Sequence, residues 1–113
     1  MTEPNDQAII AKRVDRGEVE TTEIRQLAAA AGYEVLGGGT QRRKPDPALQ
    51  LGAGKAEELT DMVEKQDAET VLFDNRLGPY QVYNLGTELP EGVRVIDRFR
   101  LILDIFGQRA QTK

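Results

Sequence analysis

The sequence predicts an α/β fold, a small three-layer domain in which a four-stranded, mainly parallel sheet is flanked by helices. Short apolar runs alternate along the chain with segments whose apolar residues recur at helical spacing. No hairpin turn joins one strand-like run to the next. We expect right-handed crossovers and the strand order 2-1-3-4. The domain is predicted to occupy residues 8–113, after a flexible N-terminus of residues 1–7.

The first half of the chain predicts two strands around one helix. Residues 8–14 contain a β-branched run and form the first strand. A helix follows, because apolar residues recur at i, i+3, i+4 and i+7 and Gly32 stands where a left-handed residue ends a helix. Residues 33–36 predict the second strand. Three glycines, three cations and two prolines then occupy residues 37–47, so we expect a long exposed loop there.

The second half predicts two strands and three helices. A helix starts at Lys55, where helical spacing returns. Residues 70–74 and 93–97 are continuous apolar runs, each ending in an aspartate, as in parallel strands that are buried on both faces. Between them, Pro79 stands at a natural first position of a third helix. Asp97 is a suitable N-cap for the last helix.

The last predicted helix has an unusually wide apolar face. The face comprises one stripe and two residues beside it: Phe99, Ile102, Leu103 and Phe106, with Leu101 and Ile105. This width exceeds what a single neighbouring element covers. We therefore expect the helix to pack on the sheet and also against something absent from the chain.

Composition excludes several classes of function. The chain has no Cys and no His, which excludes disulfides, thiol nucleophiles and every metal or catalytic centre that needs imidazole. The net charge of −4 argues against wrapping of nucleic acid by the whole surface, but it leaves room for a local basic edge. The chain has no run of about 18 apolar residues, so we expect no membrane span. Its acidic start differs from the basic start of a signal peptide. We expect a cytoplasmic binding module without catalytic or metal-binding residues.

The segment QLGAGKAEEL, residues 50–59, looks like the end of a phosphate-binding loop but fails the nucleotide-binding patterns. A Walker A loop needs glycine where this chain has Leu49, and Ser or Thr where it has Ala56. The glycines at positions 37–39 also fail the dinucleotide-binding pattern, whose last glycine position is occupied by Arg42. No standard nucleotide motif is present.

Two neighbouring features still predict a phosphate-binding site. At Gly54 and Lys55, the start of the predicted helix offers free N–H groups and the positive end of its dipole, and Lys55 adds a charge there. The loop before it carries three consecutive cations. The candidate residues are Arg42, Arg43, Lys44, Gly52, Gly54 and Lys55. The alternative interpretation is that the glycines only turn the chain into the helix and that the cations form a solvated loop.

Asp74 and Asp97 end two predicted parallel strands, at the sheet edge where α/β proteins place ligand sites. Magnesium binding or acid–base chemistry is conceivable there, but no set of nucleophile, base and electrophile can be assembled around them. Helix capping explains Asp97 better, and Asp74 with Asn75 is expected to shape the turn into the third helix.

Three stretches of the chain carry a family resemblance. They are QRRKPDPALQLGAGKAEEL, VLFDNRLGPYQVYNL and VRVIDRFRLILDIFGQRA. In the same order and spacing, they resemble the N-terminal domain of the HflX family of translational GTP-binding proteins. The resemblance extends from Ala8 to Ala110. One departure is Ala53, because the family usually has Gly-Lys-Gly-Lys where this chain has Gly-Ala-Gly-Lys, so this chain has one cation fewer.

The resemblance implies a role for this chain within a longer protein. Family members continue into a helical coiled-coil segment and a GTPase domain, bind GTP and Mg²⁺, and act on the large ribosomal subunit to split or rescue ribosomes. This chain would be the ribosome-binding domain, truncated before those parts, with its cations facing ribosomal RNA phosphates. Leu101, Ile105 and Arg109 are predicted to contact the missing helical segment. The alternative function is an ATP- or GTP-binding α/β domain that uses the Gly-x-Gly-Lys helix start.

Overall fold

The computed structural model describes the backbone of residues 7–111 and the side chains of residues 7–107. Strands and helices alternate along it as predicted. In chain order they are β1 (Gln7–Val14), α1 (Thr22–Ala30), β2 (Glu34–Arg42), α2 (Ala53–Gln66), β3 (Thr70–Phe73), α3 (Pro79–Glu88), β4 (Arg94–Asp97) and α4 (Arg98–Gln111). Of the predicted flexible N-terminus, residues 1–6 lie outside the described range and Gln7 belongs to β1. None of the helices within the described range is long and apolar enough to cross a membrane.

The four strands form one parallel sheet in the order β2-β1-β3-β4, which confirms the predicted fold class and strand order. β1 and β3 are the central strands; β3 ends beside Ala11, and β1 continues to Val14 at the same edge of the sheet. From β1 the chain first adds β2 on one side and later β3 on the other, so the sheet has a topological switch point between β1 and β3.

The sheet separates two apolar cores. Because alternate residues of a strand point to opposite faces, Ile9 packs in the core under α2 and α3, whereas Ile10 packs in the core under α1 and α4. All four residues of β3 are buried, as its continuous apolar run predicts. Burial of each large aliphatic or aromatic side chain contributes about 1.5–3 kcal/mol to stability. The two cores therefore hold the helices on both faces of the sheet.

The prediction of an exposed loop at residues 37–47 is wrong for residues 37–42, because β2 continues to Arg42. Glycine is a poor strand former by itself. Here, residues 37–39 pair with residues 9–11 of β1, and this pairing provides the backbone hydrogen bonds that hold them extended. The missing side chains also admit a close neighbour, since a Cβ at Gly38 would lie 3.1 Å from Nη2 of Arg25. The connection between β2 and α2 is therefore restricted to residues 43–52, and it is exposed at residues 43–45 and 47.

α4 arranges its apolar residues differently from the prediction. Leu101 is fully buried in the core beneath the helix, so its assignment to an interface with a missing segment is wrong. Ile105 is half-buried, and the side chain of Arg109 lies outside the described residues. Phe99, Leu103 and Phe106 are 65%, 52% and 58% exposed. We call these three residues the open face of α4.

Candidate phosphate-binding corner

The predicted phosphate-binding residues lie where β2 ends and α2 begins, at the carboxyl edge of the sheet. Parallel α/β sheets commonly bind their ligands at this edge. Residues 42–44 and 52–55 are called the basic corner below. α2 begins at Ala53, two residues before the start predicted at Lys55. The earlier start makes Gly52 the N-cap and includes Gly54 in the first turn.

Arg43 and Gly52 are the two predicted residues that meet directly. A Cβ added to Gly52 would collide with Nη1 of Arg43, so the guanidinium lies against the start of α2. The backbone of Gly52 is extended, with φ −66° and ψ 157°, a conformation that any residue adopts. Glycine at this position therefore provides space for Arg43, not backbone freedom.

The other cations of the corner are either exposed or held only by weak interactions at the surface. Arg42 donates from Nε to the carbonyl oxygen of Gly17 at 2.6 Å. Lys44 is exposed. Nζ of Lys55 lies 3.0 Å from Oε1 of Glu58, which is itself 66% exposed. Such surface ion pairs contribute only about 0–1 kcal/mol, so an incoming phosphate can compete for Lys55.

The start of α2 offers backbone donors that no side chain caps. The N–H of Gly52 is not among them, because it donates to Oε1 of Gln41 at 2.8 Å. The N–H groups of residues 53–55 lie in the first turn, where an α-helix has no carbonyl to receive them. An ideal Cβ on Gly54 would meet nothing within 4 Å, so this side of the turn is open. These groups and the helix dipole favour an anion.

Hydrogen bonds hold the connection between β2 and α2 in one shape. Oδ1 of Asp46 accepts from the N–H groups of Ala48 and Leu49 at 2.8 and 2.9 Å. The carbonyl oxygen of Asp46 accepts from Nε2 of Gln81 on α3 at 3.0 Å. Asn84, also on α3, donates from Nδ2 to the carbonyl oxygen of Ala48 at 3.1 Å. The connection is therefore fixed both within itself and to α3.

Sequence reasoning missed three polar residues that support the corner: Arg13, Gln41 and Gln50. Arg13 comes from the end of β1 and donates from Nη1 to the carbonyl oxygen of Arg43 at 2.8 Å. Its Nε donates to Oε1 of Gln50 at 2.5 Å. These contacts join residues 30 and 37 positions apart, and no local pattern signals them. Gln41 stands within a stretch that carries the family resemblance, but only the geometry reveals that it binds Gly52.

Side chains of this chain fill the switch point between β1 and β3. Nζ of Lys12 lies 2.9 Å from Oδ2 of Asp74, whose side chain is 5% exposed. Asn75 accepts from the N–H of Arg13 and donates to its carbonyl oxygen, both at 2.7 Å. Asp97 accepts at Oδ1 from the N–H of Arg100 at 3.0 Å, which confirms its predicted capping of α4. The carboxylates at this edge therefore serve the fold.

Arg98, the first residue of α4, links Glu23 of α1 to Asp74, which directly follows β3. Its Nη1 lies 3.2 Å from Oδ1 of Asp74 and 3.0 Å from Oε1 of Glu23. The hydrogen bond from Arg98 and its positive charge lower the pKa of Glu23, while the bonds to Glu23 and Asp74 raise the pKa of Arg98. Within residues 7–107, no group of three or more Asp or Glu side chains is arranged to hold a metal ion.

The sequence matches a family model described as GTP-binding GTPase N-terminal over residues 18–107. It is also similar to curated relatives named GTPase HflX. The protein of Escherichia coli is 46% identical over 99 residues, which are 87% of this chain and 23% of that protein. The protein of Thermococcus kodakarensis is 41% identical over 98 residues, which are 87% of this chain and 22% of that protein. This chain thus spans about a quarter of the length of these relatives.

Several solved structures share the fold. The crystal structure of SsGBP in complex with GDP superposes with a TM-score of 0.74 at 21% identity, covering 95% of this chain and 31% of that one. A GTP-binding protein of Sulfolobus solfataricus in complex with GDP superposes with a TM-score of 0.65 at 23% identity, covering 88% of this chain and 30% of that one. At such identities the likeness concerns the fold alone.

Proposed function

The chain belongs to the HflX family of GTP-binding proteins and corresponds to their N-terminal domain, and on this basis we propose that it binds ribosomal RNA of the large ribosomal subunit through the basic corner. The observation that carries the proposal is the Arg43 guanidinium lying against the uncapped start of α2. Two sources of positive charge, a side chain and a helix end, thereby act on one place.

The composition of the corner supports RNA phosphate as its ligand. Arg42, Arg43 and Lys44 are exposed and consecutive, so they can meet successive phosphates of a backbone. Arginine binds phosphate oxygens with two parallel N–H groups, which adds direction to the charge. Phosphate contacts of this kind position a protein on RNA without reading its base sequence.

Free nucleotide is a weaker candidate for the same place. The chain has Ala56 where a P-loop holds the hydroxyl that binds magnesium. At the switch point, where open α/β sheets bind nucleotides, the Lys12–Asp74 ion pair and Asn75 already occupy the space between β1 and β3. No observation specifically favours nucleotide binding by this chain.

The remaining parts of the longer relatives supply the other proposed partners. We assign GTP and Mg²⁺ to their GTPase domain, and ribosome splitting or rescue to the whole protein acting in the cytoplasm. The open face of α4, with Ile105 at its border and Arg109 beyond it, is the surface proposed to meet the helical segment. Phe99, Leu103 and Phe106 expose enough apolar area to favour such a contact.

A titration with large ribosomal subunits tests the proposal. Subunits from Escherichia coli are suitable, because its GTPase HflX is 46% identical to this chain in the matched region. The chain and its Arg42→Ala/Arg43→Ala variant are titrated at several salt concentrations. We expect the variant to bind more weakly, with a log–log salt slope shallower by about 0.7–0.9 for each phosphate that it no longer neutralises.

A matched control separates the corner from net charge. The Arg25→Ala/Lys65→Ala variant removes the same charge from two exposed side chains on α1 and at the far end of α2. Its slope and affinity are expected to stay near those of the wild type. Equally weakened binding in both variants would refute the corner as the binding surface, and so would an unchanged slope in the Arg42→Ala/Arg43→Ala variant.

A further inference from the structure

We propose that Gln50 is the positioning residue of the basic corner: through Arg13, it holds the backbone that carries Arg43 in the orientation that phosphate requires. The inference rests on the proposed function, since it concerns how the same surface is kept ready for its ligand. It assigns a role to a neutral residue that has no charge to offer to RNA.

Gln50 combines burial with an unusual backbone. It is 6% exposed, although it is polar and lies in a surface connection. Its φ is 70°, in the left-handed region that favours glycine and is uncommon for a residue with a side chain. Its N–H donates to the carbonyl oxygen of Asp46 at 2.8 Å, and its carbonyl oxygen accepts from the N–H of Asp46 at 3.1 Å. Both backbone groups are therefore used within the connection.

The side chain of Gln50 is bonded at both of its ends. Oε1 accepts from Nε of Arg13 at 2.5 Å. Nε2 donates to the carbonyl oxygen of Arg76 at 3.2 Å and approaches Oε1 of Gln81 at 3.4 Å. Gln50 thereby ties the connection to the end of β1, to the turn after β3 and to α3.

Arg13 links the side chain of Gln50 to the backbone of Arg43 in the basic corner. Its side chain is 12% exposed, so it is mostly inside the molecule and faces solvent little. Nη1 donates to the carbonyl oxygen of Arg43 at 2.8 Å and to Oδ1 of Asp15 at 2.6 Å. On the other side of the same residue, the N–H of Arg43 donates to the carbonyl oxygen of Val14 at 2.9 Å. Arg43 is thus held at both backbone groups, and one of these holds depends on Gln50.

Removal of the Gln50 side chain should loosen Arg43 without removing any cation. A glycine at position 50 accepts the positive φ, and an asparagine accepts it better than most residues while being too short for the same reach to Arg13. An ordered cation binds phosphate without first losing its own freedom. We therefore expect weaker binding with an unchanged number of phosphates neutralised.

The test compares the Gln50→Gly and Gln50→Asn variants with Asp67→Gly. Asp67 also has a positive φ, 56°, and caps α2 at the end opposite the corner, so its replacement by glycine repeats the backbone change away from the corner and removes one negative charge there. Affinity for Escherichia coli large subunits and its salt slope are measured, together with solvent exchange of the Arg13 Nε–H proton by NMR. Circular dichroism confirms that each variant is folded.

For both Gln50 variants we expect affinity to fall about 2- to 12-fold, the cost of ordering one side chain on binding, while the salt slope is unchanged and Arg13 Nε–H exchange accelerates. Asp67→Gly should leave all three quantities near those of the wild type. Gln50 variants that bind like Asp67→Gly, while Arg42→Ala/Arg43→Ala binds weakly, would overturn the inference alone. If Arg42→Ala/Arg43→Ala binds like the wild type, the proposed function fails and the inference falls with it.

Discussion

At the scale of single residues, Gly52 and Gly54 have different reasons to be glycine, although the sequence presents them as one motif. Gly52 has an extended backbone, and the space beside it is taken by the guanidinium of Arg43. Gly54 lies in the first turn of α2 with open space around its missing side chain. Only Gly52 is therefore tied to the basic corner by packing.

Alanine replacements separate the two glycines. Gly54→Ala should stabilise the chain by about 0.5–1 kcal/mol, because alanine loses less entropy in a helix. Gly52→Ala should destabilise it by about 0.5–1 kcal/mol, because alanine is a poor N-cap, and should displace Arg43 from the start of α2. Urea unfolding measures the stabilities.

Binding to large ribosomal subunits then reports the displaced guanidinium. Gly52→Ala should weaken binding, whereas Gly54→Ala should leave it unchanged. Stronger binding by Gly52→Ala would show that the contact between Arg43 and the helix start holds the cation away from its ligand.

The ion pair of Glu23 and Arg98 makes the stability of the fold depend on pH. The hydrogen bond from Arg98 and its charge lower the pKa of Glu23 below the ordinary 4.5. A carboxyl with a lowered folded-state pKa stabilises the fold above its unfolded-state pKa, and this contribution disappears as the pH falls through the folded-state value. The Glu23→Gln variant should therefore melt below the wild type at pH 7, and the gap should close in acid below pH 4.5.

Melting curves at several pH values, at low salt and in about 1 M salt, check this dependence. High salt should shrink the gap at neutral pH, because the Glu23 side chain is 67% exposed and the pair is open to screening. A gap that persists undiminished in acid would assign the effect of Glu23 to packing.

At the scale of elements, Asp74 fastens α4 to the centre of the sheet. Its side chain is 5% exposed and accepts from Lys12 of β1 and Arg98 of α4. Asp74→Ala should cost about 1.5–3 kcal/mol, the usual range for a hydrogen bond to a charged group, because it leaves both cations without this partner. Urea unfolding measures the destabilisation.

Asp104→Ala is the matched control for this prediction. Asp104 pairs with Arg100 on the same helix, with side chains that are 34% and 68% exposed. A pair of this kind contributes about 0.3–0.5 kcal/mol, so its removal should be nearly silent. Similar destabilisation in the two variants would mean that the buried position of Asp74 adds nothing to its ion pairs.

Sequence patterns predicted the elements better than their surroundings. The alternation of strands and helices, the parallel sheet and the strand order follow from periodicity and connection rules. The end of β2 escaped prediction because Gly37 to Gly39 lack strand propensity, and their extended shape comes from pairing with β1. The face of α4 escaped because Phe99 and Leu101, two positions apart, lie on different sides of a helix, and the wide apolar pattern cannot tell which of them turns toward the sheet.

The sequence indicated the cations of the basic corner but not the residues that hold the corner in place. Arg42 to Lys44 and Lys55 stand out as charges beside a glycine-containing helix start. Gln50 and Arg13 do not, because their contact joins two parts of the chain that only the fold brings together. Partners across the sheet leave no trace in local composition, and this explains why such positioning residues are found from structure.

At the scale of the whole molecule, an acidic chain carries a basic corner. The net charge is −4, so general attraction to RNA is absent and any binding must be local. The corner contains four cations, Arg42, Arg43, Lys44 and Lys55, and these limit how many phosphates it can neutralise. We therefore expect the salt dependence of RNA binding to correspond to at most four phosphates. We also expect no GTP turnover by this chain, because it lacks a Walker A loop.

RNA binding through the basic corner is tested by one titration of the chain with large ribosomal subunits at 50 and 200 mM salt, with GTP binding and hydrolysis followed in parallel. If all four cations of the corner meet phosphates, affinity should fall about 50- to 150-fold between these salt concentrations, from a slope of about 0.7–0.9 per phosphate. GTP should neither bind nor be hydrolysed. Binding to subunits that is absent or insensitive to salt, together with GTP turnover that Lys55→Ala abolishes, would contradict an RNA-binding corner.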